Sequence, residues 1–216
     1  MRLLSVNVSN PKGIIYSGEH FETGIFKRPV AGLVQVRTLN LEGDQQADLR
    51  VHGGPNKAVY VYSQRNIEFW RSALQREDLG PGTFGENLTV DELTDDEVGI
   101  GDELEIGTAR FLVTQPRLPC FKLGIALGDP EFPEVFQRSG RNGFYLRVLR
   151  EGALAAGDAI QLKPAPVESR MTIAEFARIA NAPAPTPDQL HRILRLEALP
   201  QPWKDRLVAR LKRHSK

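Results

Sequence analysis

The feature that most constrains the fold of this chain is the frequency of turn-forming residues in its first 165 positions. Gly, Pro and Asp separate a series of short strand-like runs, which lie at 3–8, 33–41, 58–62, 87–90, 103–106, 109–114, 144–149 and 159–162. Many short strands with frequent turn signals are typical of a β-barrel or a β-sandwich. We therefore predict a mainly β domain over residues 1–165.

Two helical patterns interrupt these runs. The first, at 65–74, places Ile67 and Trp70 on one face and has Ser63 upstream as a candidate N-cap. A shorter helix is predicted at 133–137. Apolar and aromatic residues at helical spacing are usually core residues, so we interpret this stripe as packing against the β domain.

The pattern changes after the proline-rich stretch at 164–166. Thr172 and Thr186 each begin a capping-box pattern that leads into apolar residues at helical spacing, and Trp203 marks a third helix. A three-helix segment at 168–214 has little core of its own. We expect it to pack on the β domain or on a partner.

Charge is distributed unevenly along the chain. Residues 168–216 contain ten Lys/Arg and five Asp/Glu, whereas the remainder contains 18 and 22, so the net charge of the whole chain is only +1. A mildly acidic body with a few basic loops predicts a local anion site and no nucleic-acid surface. The basic end of the third helix suits the negative pole of a helix dipole.

The chain contains a single cysteine, which excludes an intramolecular disulfide and favours a reducing compartment. The N-terminal residues become polar within ten positions, which is too short for a secretory signal. No later stretch is apolar enough to span a bilayer. We expect a cytoplasmic protein that does not contact membranes.

That cysteine, Cys120, lies in a rigid basic loop between Arg117 and Lys122. Nearby cations favour the thiolate, which is the form that attacks electrophiles and ligates metals, and Pro116 and Pro119 restrict the backbone before it. The alternative is a buried cysteine that acts as a small hydrophobic residue. Because one cysteine and four scattered histidines lack zinc-ligand spacing, we expect a metal that takes one protein thiolate and its other ligands from a cofactor.

A glycine pair lies in the densest polar segment of the chain. Gly53 and Gly54 allow the backbone to approach a ligand closely and expose successive N–H groups, while Arg50, His52 and Lys57 supply positive charge. The spacing does not match a Walker A loop, and a strand follows where a helix would be needed. A tight Gly-Gly-Pro turn explains the same glycines without a ligand.

Glu86 and Asn87 lie in a second glycine-containing turn. Their side chains can pair with the N–H and C=O edges of a heterocycle such as a pterin or a purine. They can equally cap the turn in which they lie. Both roles stay open at this point.

Together these motifs resemble the MOSC domain, the molybdenum cofactor sulfurase C-terminal domain. The matching segments follow the family order and lie at 52–59, 84–88, 101–102, 115–123 and 143–149. The chain is most similar to the bacterial stand-alone branch that confers resistance to 6-N-hydroxylaminopurine and ends in a three-helix segment. The resemblance implies a mainly β fold, with a MOSC-type β-barrel and short peripheral helices at 1–165 and the three-helix segment at 168–214.

The resemblance also implies a molybdenum–molybdopterin cofactor. Cys120 would supply the thiolate to molybdenum and would be the catalytic residue. The positions that would surround the cofactor are Arg50, His52, Gly53, Gly54, Lys57, Glu86, Asn87, Arg117 and Lys122.

The implied function is a molybdenum-dependent oxidoreductase that reduces N-hydroxylated substrates, such as hydroxylaminopurine or amidoxime-like compounds, to amines. Because no flavin or iron–sulfur motif is present, electrons would come from a separate flavin-type reductase that docks on the cationic C-terminal segment. Two alternatives stay open: a sulfur carrier or transferase that uses a Cys120 persulfide, and a carrier of the molybdenum cofactor. A homodimer is also left open.

Overall fold

The structure, a computed structural model, describes residues 1–47 and 53–214. The strands in this part of the chain are β1 Leu3–Val8, β2 Lys12–Tyr16, β3 Glu19–Thr23, β4 Arg28–Val30, β5 Val34–Val36, β6 Val59–Ser63, β7 Leu88–Val90, β8 Gly99–Ile100, β9 Glu103–Ile106, β10 Ala109–Pro116, β11 Phe144–Arg150, β12 Gly152–Leu154, β13 Ile160–Lys163 and β14 Met171–Thr172. The α-helices are α1 Gln64–Leu74, α2 Phe121–Leu127, α3 Phe132–Ser139, α4 Ile173–Asn181, α5 Pro187–Leu194 and α6 Gln201–His214. None of these helices has both the length and the apolar composition needed to cross a bilayer.

Eight strands form one sheet, in the order β13-β9-β10-β11-β6-β7-β1-β4. Neighbouring strands are antiparallel except β6 and β7, which are parallel, and α1 makes the crossover connection between them. The remaining strands pair as β2–β3, β5–β12 and β8–β14. Leu104 and Phe111 face each other across β9 and β10 and are fully buried, so this side of the sheet contributes to the core.

The start of β1 lies close to β13, which is at the other end of the sheet. Arg2 forms an isolated bridge with Ala159, and Leu3 N donates to Asp158 O at 2.9 Å. Within residues 1–47 and 53–214, however, the ladder of paired strands is linear and does not form a closed ring. The architecture is therefore a sheet-dominated mixed fold with several helices, and the closed barrel stays a prediction.

Both helices predicted within the β region are present, as α1 and α3. Helix α1 begins after Ser63, whose hydroxyl accepts a hydrogen bond from Arg65 N at 3.3 Å, as expected of an N-cap. Ile67 and Trp70 are buried, and Trp70 Nε1 donates to Tyr62 OH at 2.9 Å. The aromatic stripe is core packing, as predicted.

The β2–β3 hairpin and α2 do not appear in the sequence-based prediction. Ser17 and Gly18 have φ angles of 52° and 81°, which is the geometry of a two-residue hairpin turn, so the Ser-Gly pair was a usable signal. The strands beside it are largely exposed and lack clear apolar alternation. Helix α2 begins directly after Cys120, where the prolines had favoured a loop.

The three predicted C-terminal helices are present as α4, α5 and α6. Both halves of the capping box at Thr186 are formed: Gln189 N donates to Thr186 Oγ1 at 3.2 Å, and Thr186 N donates to Gln189 Oε1 at 2.8 Å. At the start of α4, Thr172 Oγ1 accepts from Glu175 N at 3.1 Å. Helices α4 and α5 therefore begin where their capping residues predict.

These helices share the hydrophobic core of the sheet. Phe176, Leu190 and Ile193 are fully buried in the same cluster as Phe111 and Val113 of β10. The segment thus covers apolar surface of the sheet, which was one of the two arrangements expected from its small size. The division of the chain into domains at 1–165 and 168–214 stays a prediction.

An ion pair also joins the C-terminal segment to the sheet. Arg170, just before β14, donates to the buried carboxylate of Asp102 through Nε at 2.9 Å and Nη2 at 2.8 Å. Asp102 belongs to the Gly-Asp turn at 101–102. This turn therefore precedes β9 and also binds Arg170, in the segment that leads to the C-terminal helices.

Candidate functional site

A pocket opens beside the end of β10, and five of the predicted site residues line it. They are Lys57, Asn87, Arg117, Cys120 and Lys122, and they come from segments up to 65 positions apart. The pocket holds about 670 Å³ of open space, including its solvent-filled mouth. Polar and cationic side chains predominate among the predicted residues on its wall, as expected for an anion site.

The other five predicted residues are placed differently or are not described. Gly53, Gly54 and Glu86 are absent from the pocket wall formed by residues 1–47 and 53–214. Gly54 has a φ of 87°, which favours glycine and accounts for its place before the short 3-10 turn Pro55–Lys57. Arg50 and His52 lie outside the described residues, so their predicted contacts with a cofactor stay predictions.

Cys120 is the N-cap residue of α2 and is partly exposed. Its extended backbone, with φ −130° and ψ 173°, turns the chain from the proline-containing stretch into the helix. Gly124 allows α2 to lie against the following loop, since a Cβ there would approach Asp129 O to 2.7 Å. The only thiol of the chain is therefore held on a packed helix start at the pocket wall.

Arg117 is a buried cation on the pocket wall. Its side chain lies with Cζ 5.1 Å from the centre of the Tyr60 ring and 5.5 Å from that of Phe136. Within the described chain its Nη1 has no hydrogen-bond partner, although the residue is only 5% exposed. A buried donor without a partner is costly, so this atom is suited to bind an anionic or carbonyl oxygen of a ligand.

Asp95 supports the loop that holds Arg117. Its Oδ1 accepts hydrogen bonds from Asn142 N at 3.0 Å and Gly143 N at 2.8 Å. Asn142 Nδ2 in turn donates to Arg117 O at 3.0 Å, and Arg117 N donates to Gly143 O at 3.1 Å. Burial raises the pKa of Asp95 to about 6, against the effect of its hydrogen bonds.

A buried ion pair on the pocket wall was missed by the sequence analysis. Lys27 Nζ donates to Asp44 Oδ1, and both side chains are almost fully buried. Asp44 also accepts from Ser9 N at 2.9 Å and from Asn87 Nδ2 at 2.9 Å. No local pattern marks Lys27, because its partner lies 17 residues further along the chain.

Burial shifts the titration of several groups on the wall. It lowers the pKa of Lys57, and it lowers that of Lys27 although the nearby charge of Asp44 opposes the change. It raises the pKa of the Tyr60 and Tyr145 phenols, so both are neutral donors or acceptors at neutral pH. The wall therefore combines cations with neutral hydroxyl groups.

Glu86 and Asn87 hold the protein's own backbone. The Glu86 carboxylate accepts from Gly82 N at 2.6 Å, Phe84 N at 3.1 Å and Thr89 Oγ1 at 2.8 Å, and burial raises its pKa to about 7. Asn87 Oδ1 accepts from the backbone N–H of Tyr60 at 3.0 Å, while its Nδ2 contacts Asp44. For Glu86 these contacts favour the turn-capping role that the sequence had left open, whereas Asn87 joins its turn to β6 and to Asp44.

The β2–β3 hairpin is attached to the residues that follow Cys120. Lys122 Nζ donates to Glu22 O at 2.7 Å. The Phe121 ring stacks on Tyr16, with centroids 5.4 Å apart, and meets Phe21 edge-on at 5.0 Å. Because Thr23, the last residue of the hairpin, and the two residues that follow it also line the pocket, the hairpin and the thiol are mechanically connected.

Comparison with known proteins shows what the chain is similar to. The sequence model described as "MOSC domain" matches residues 48–161. "Uncharacterized protein YflK" of Bacillus subtilis is 40% identical over 213 residues, which are 95% of this chain and 96% of that protein. The crystal structure of YiiM from Geobacillus stearothermophilus superposes with a TM-score of 0.81 at 31% identity, and the match covers 97% of this chain and 98% of that one.

A third relative is longer than this chain. A protein named "Reductase" from Gibberella moniliformis is 34% identical over 184 residues. The match covers 83% of this chain but only 32% of that protein. In that protein, the segment similar to this chain is therefore one part of a longer polypeptide.

Proposed function

Because this chain belongs to the MOSC domain family, we propose that it is a molybdenum-cofactor-dependent reductase that converts N-hydroxylated compounds to amines. The substrate class includes hydroxylaminopurine and amidoxime-like compounds. The observation that carries this proposal is the meeting of a free thiol, Cys120, and a buried, incompletely bonded cation, Arg117, in one pocket. Residues 1–165 are proposed to form the family's barrel.

The residues on the wall fit a molybdenum–pterin cofactor. Cys120 offers one soft sulfur ligand, which suits a metal whose other ligands belong to the cofactor itself. Arg117 Nη1 offers an unmet donor, and Lys57 and Lys122 add positive charge for a phosphate. Arg50, His52, Gly53 and Gly54 are proposed to complete the phosphate and pterin contacts, as the resemblance implies.

When bound, the cofactor would supply two-electron oxygen-transfer chemistry at the metal. The chain's own residues position it: the α2 start fixes Cys120, and the Asp95–Asn142 network fixes Arg117. Tyr60 and Tyr145, whose phenols stay neutral because burial raises their pKa values, line the same pocket. Rigid support of this kind keeps the reacting groups aligned.

Electrons are proposed to come from a separate flavin-type reductase. The similarity to part of a longer fungal protein named "Reductase" supports an oxidoreductase role for the shared segment. A cytoplasmic setting is proposed, since a reducing compartment keeps Cys120 available.

Metal analysis tests this proposal. Full-length protein purified from cells that make the cofactor should contain about one molybdenum per chain, and it should reduce an N-hydroxylated purine when a chemical reductant supplies electrons. Cys120→Ser should fold but lose the molybdenum, because a hydroxyl is a much poorer soft-metal ligand than a thiolate. Full activity of the serine variant with bound metal would exclude Cys120 as the ligand.

The partly exposed thiol also suits a second candidate, a sulfur carrier that uses a Cys120 persulfide. In that case the protein would lack molybdenum and would release sulfur when treated with cyanide. Cofactor bound in stoichiometric amount without reductase activity would instead favour a cofactor carrier.

A further inference from the structure

The Lys27–Asp44 ion pair has no role in the function proposed above. Resting on that function, we propose that Lys27 is the acid that protonates the oxygen leaving the N-hydroxylated substrate, and that Asp44 is its positioning residue. Both residues line the pocket that contains Cys120.

The placement of the pair is hard to explain by stability alone. The side chains are only 8% and 1% exposed, and desolvating two charges costs several kcal/mol per ion, so that a buried pair is often no more stable than apolar residues of similar size. Asp44 is further fixed by Ser9 N and Asn87 Nδ2. The result is an ammonium held in a defined position at a reaction pocket.

The reduction consumes protons that must come from some group in the pocket. In balanced form, R–NHOH + 2 e⁻ + 2 H⁺ gives R–NH₂ + H₂O, with both electrons supplied by the flavin-type reductase. The N–O bond breaks with its electron pair on the oxygen, which takes up one proton and leaves as water, while the two electrons and the second proton complete the amine nitrogen. Lys27 gives one proton and, as a neutral amine, takes up another from solvent at the pocket mouth.

Most other titratable groups on the described wall are poorer donors. Burial raises the pKa of Tyr60 and Tyr145, which makes them weaker acids, and a guanidinium such as Arg117 retains its proton. The Lys122 ammonium already donates a hydrogen bond to the backbone carbonyl oxygen of Glu22. Lys57 is the remaining rival, because burial lowers its pKa as well.

The charges that face Lys27 define the expected pH behaviour. Burial lowers its pKa, while the carboxylates of Asp44 and Glu86 raise it, and the net direction is downwards. Lys27 should therefore exchange protons with solvent at lower pH than an ordinary lysine. Removing the charge of Asp44 should lower the pKa further.

Lys27→Arg is the decisive variant, since arginine keeps the positive charge and the partner of Asp44 but does not release a proton. We expect kcat to fall by about 10²- to 10⁴-fold, with KM and molybdenum content close to the wild-type values. Lys163→Arg, at an exposed position at the end of β13, is the matched control and should keep full activity. Wild-type kcat in Lys27→Arg would overturn the inference.

A second measurement does not depend on turnover. In full-length protein labelled with ¹³C at lysine Cε, the NMR signal that disappears in Lys27→Arg should titrate below the ordinary lysine value of about 10.4. If Lys27→Arg does not fold, Asp44→Asn replaces it. In that variant the basic limb of the plot of kcat against pH should move to lower pH, because the pKa of Lys27 falls when the charge of Asp44 is removed. A Lys27 signal that titrates at or above the ordinary value, or a basic limb that does not move, would overturn the inference.

The two proposals fail in different ways. Wild-type protein that holds molybdenum but reduces no N-hydroxylated compound would overturn the proposed function and this inference together. An active wild type with an equally active Lys27→Arg variant would overturn only the role of Lys27. Loss of activity in Lys57→Arg alone, with its molybdenum content unchanged, would assign the acid to the rival lysine.

Discussion

Replacing Glu86 with glutamine will decide whether this carboxyl group stabilises its own turn or binds a ligand. Burial raises the pKa of Glu86 to about 7, from an ordinary value of 4.5. Because the folded protein then holds the proton more tightly than the unfolded chain does, the raised pKa adds to stability below about pH 4.5. That contribution is lost as the pH rises through about 7.

The size of the effect follows from the two pKa values. Their separation corresponds to about 3 kcal/mol, most of which is lost between pH 5 and pH 8. Asp95, whose pKa burial raises to about 6, should contribute a smaller loss of about 1 kcal/mol over the same range. We therefore expect these two groups to make the wild type about 4 kcal/mol less stable at pH 8 than at pH 5.

Urea unfolding followed by tryptophan fluorescence at pH 5 and pH 8 measures this loss. Glu86→Gln should keep only the smaller, Asp95 part of the pH dependence, and Asp95→Asn is the matched variant that should keep only the larger part. The same pH dependence in Glu86→Gln and wild type would refute the reasoning. Normal molybdenum content in Glu86→Gln would agree with a structural role, whereas its loss from a stable protein would indicate a cofactor contact.

Two further predictions concern the pocket and the C-terminal helices. Arg117→Met and Lys57→Met should each weaken cofactor retention about 10- to 150-fold, because a hydrogen bond to a charged group contributes about 1.5–3 kcal/mol. Molybdenum content after dialysis measures this loss. A variant that unfolds at a lower urea concentration but keeps its metal would indicate a structural role for the residue. A chain ending at Lys163 should aggregate, because it lacks Phe176 and Leu190, which are buried in the shared core. Size-exclusion chromatography checks this, and a monodisperse truncated protein that retains cofactor would contradict it.

The regular parts of the fold were predictable because their signals are local. Strand β1 is found at its predicted position, and the side chains of Ser63 and Thr186 form the helix caps that their sequence contexts indicate. The β2–β3 hairpin was missed because its residues are mostly exposed, so burial does not impose an alternating pattern on them. Ring closure depends on hydrogen bonds between distant segments, for which no local pattern exists.

The site was predictable where a residue belongs to a motif and unpredictable where its role depends on distant partners. Arg117 and Cys120 lie near each other in sequence, and both line the pocket. Glu86 has the chemistry to contact a heterocycle, but its own turn satisfies the carboxylate. Lys27 acquires its importance only through Asp44, which the fold brings to it.

The attachment of the β2–β3 hairpin beside Cys120 has a thermodynamic consequence. Opening the hairpin would break the Lys122–Glu22 hydrogen bond and separate the Phe121 ring from Tyr16, and thus loosen the start of α2. A ligand that binds more tightly when the start of α2 is ordered must, by thermodynamic reciprocity, stabilise the closed hairpin by the same free energy. Amide hydrogen exchange in an N-terminal hairpin about 100 residues away in sequence would then report on occupancy at the thiol.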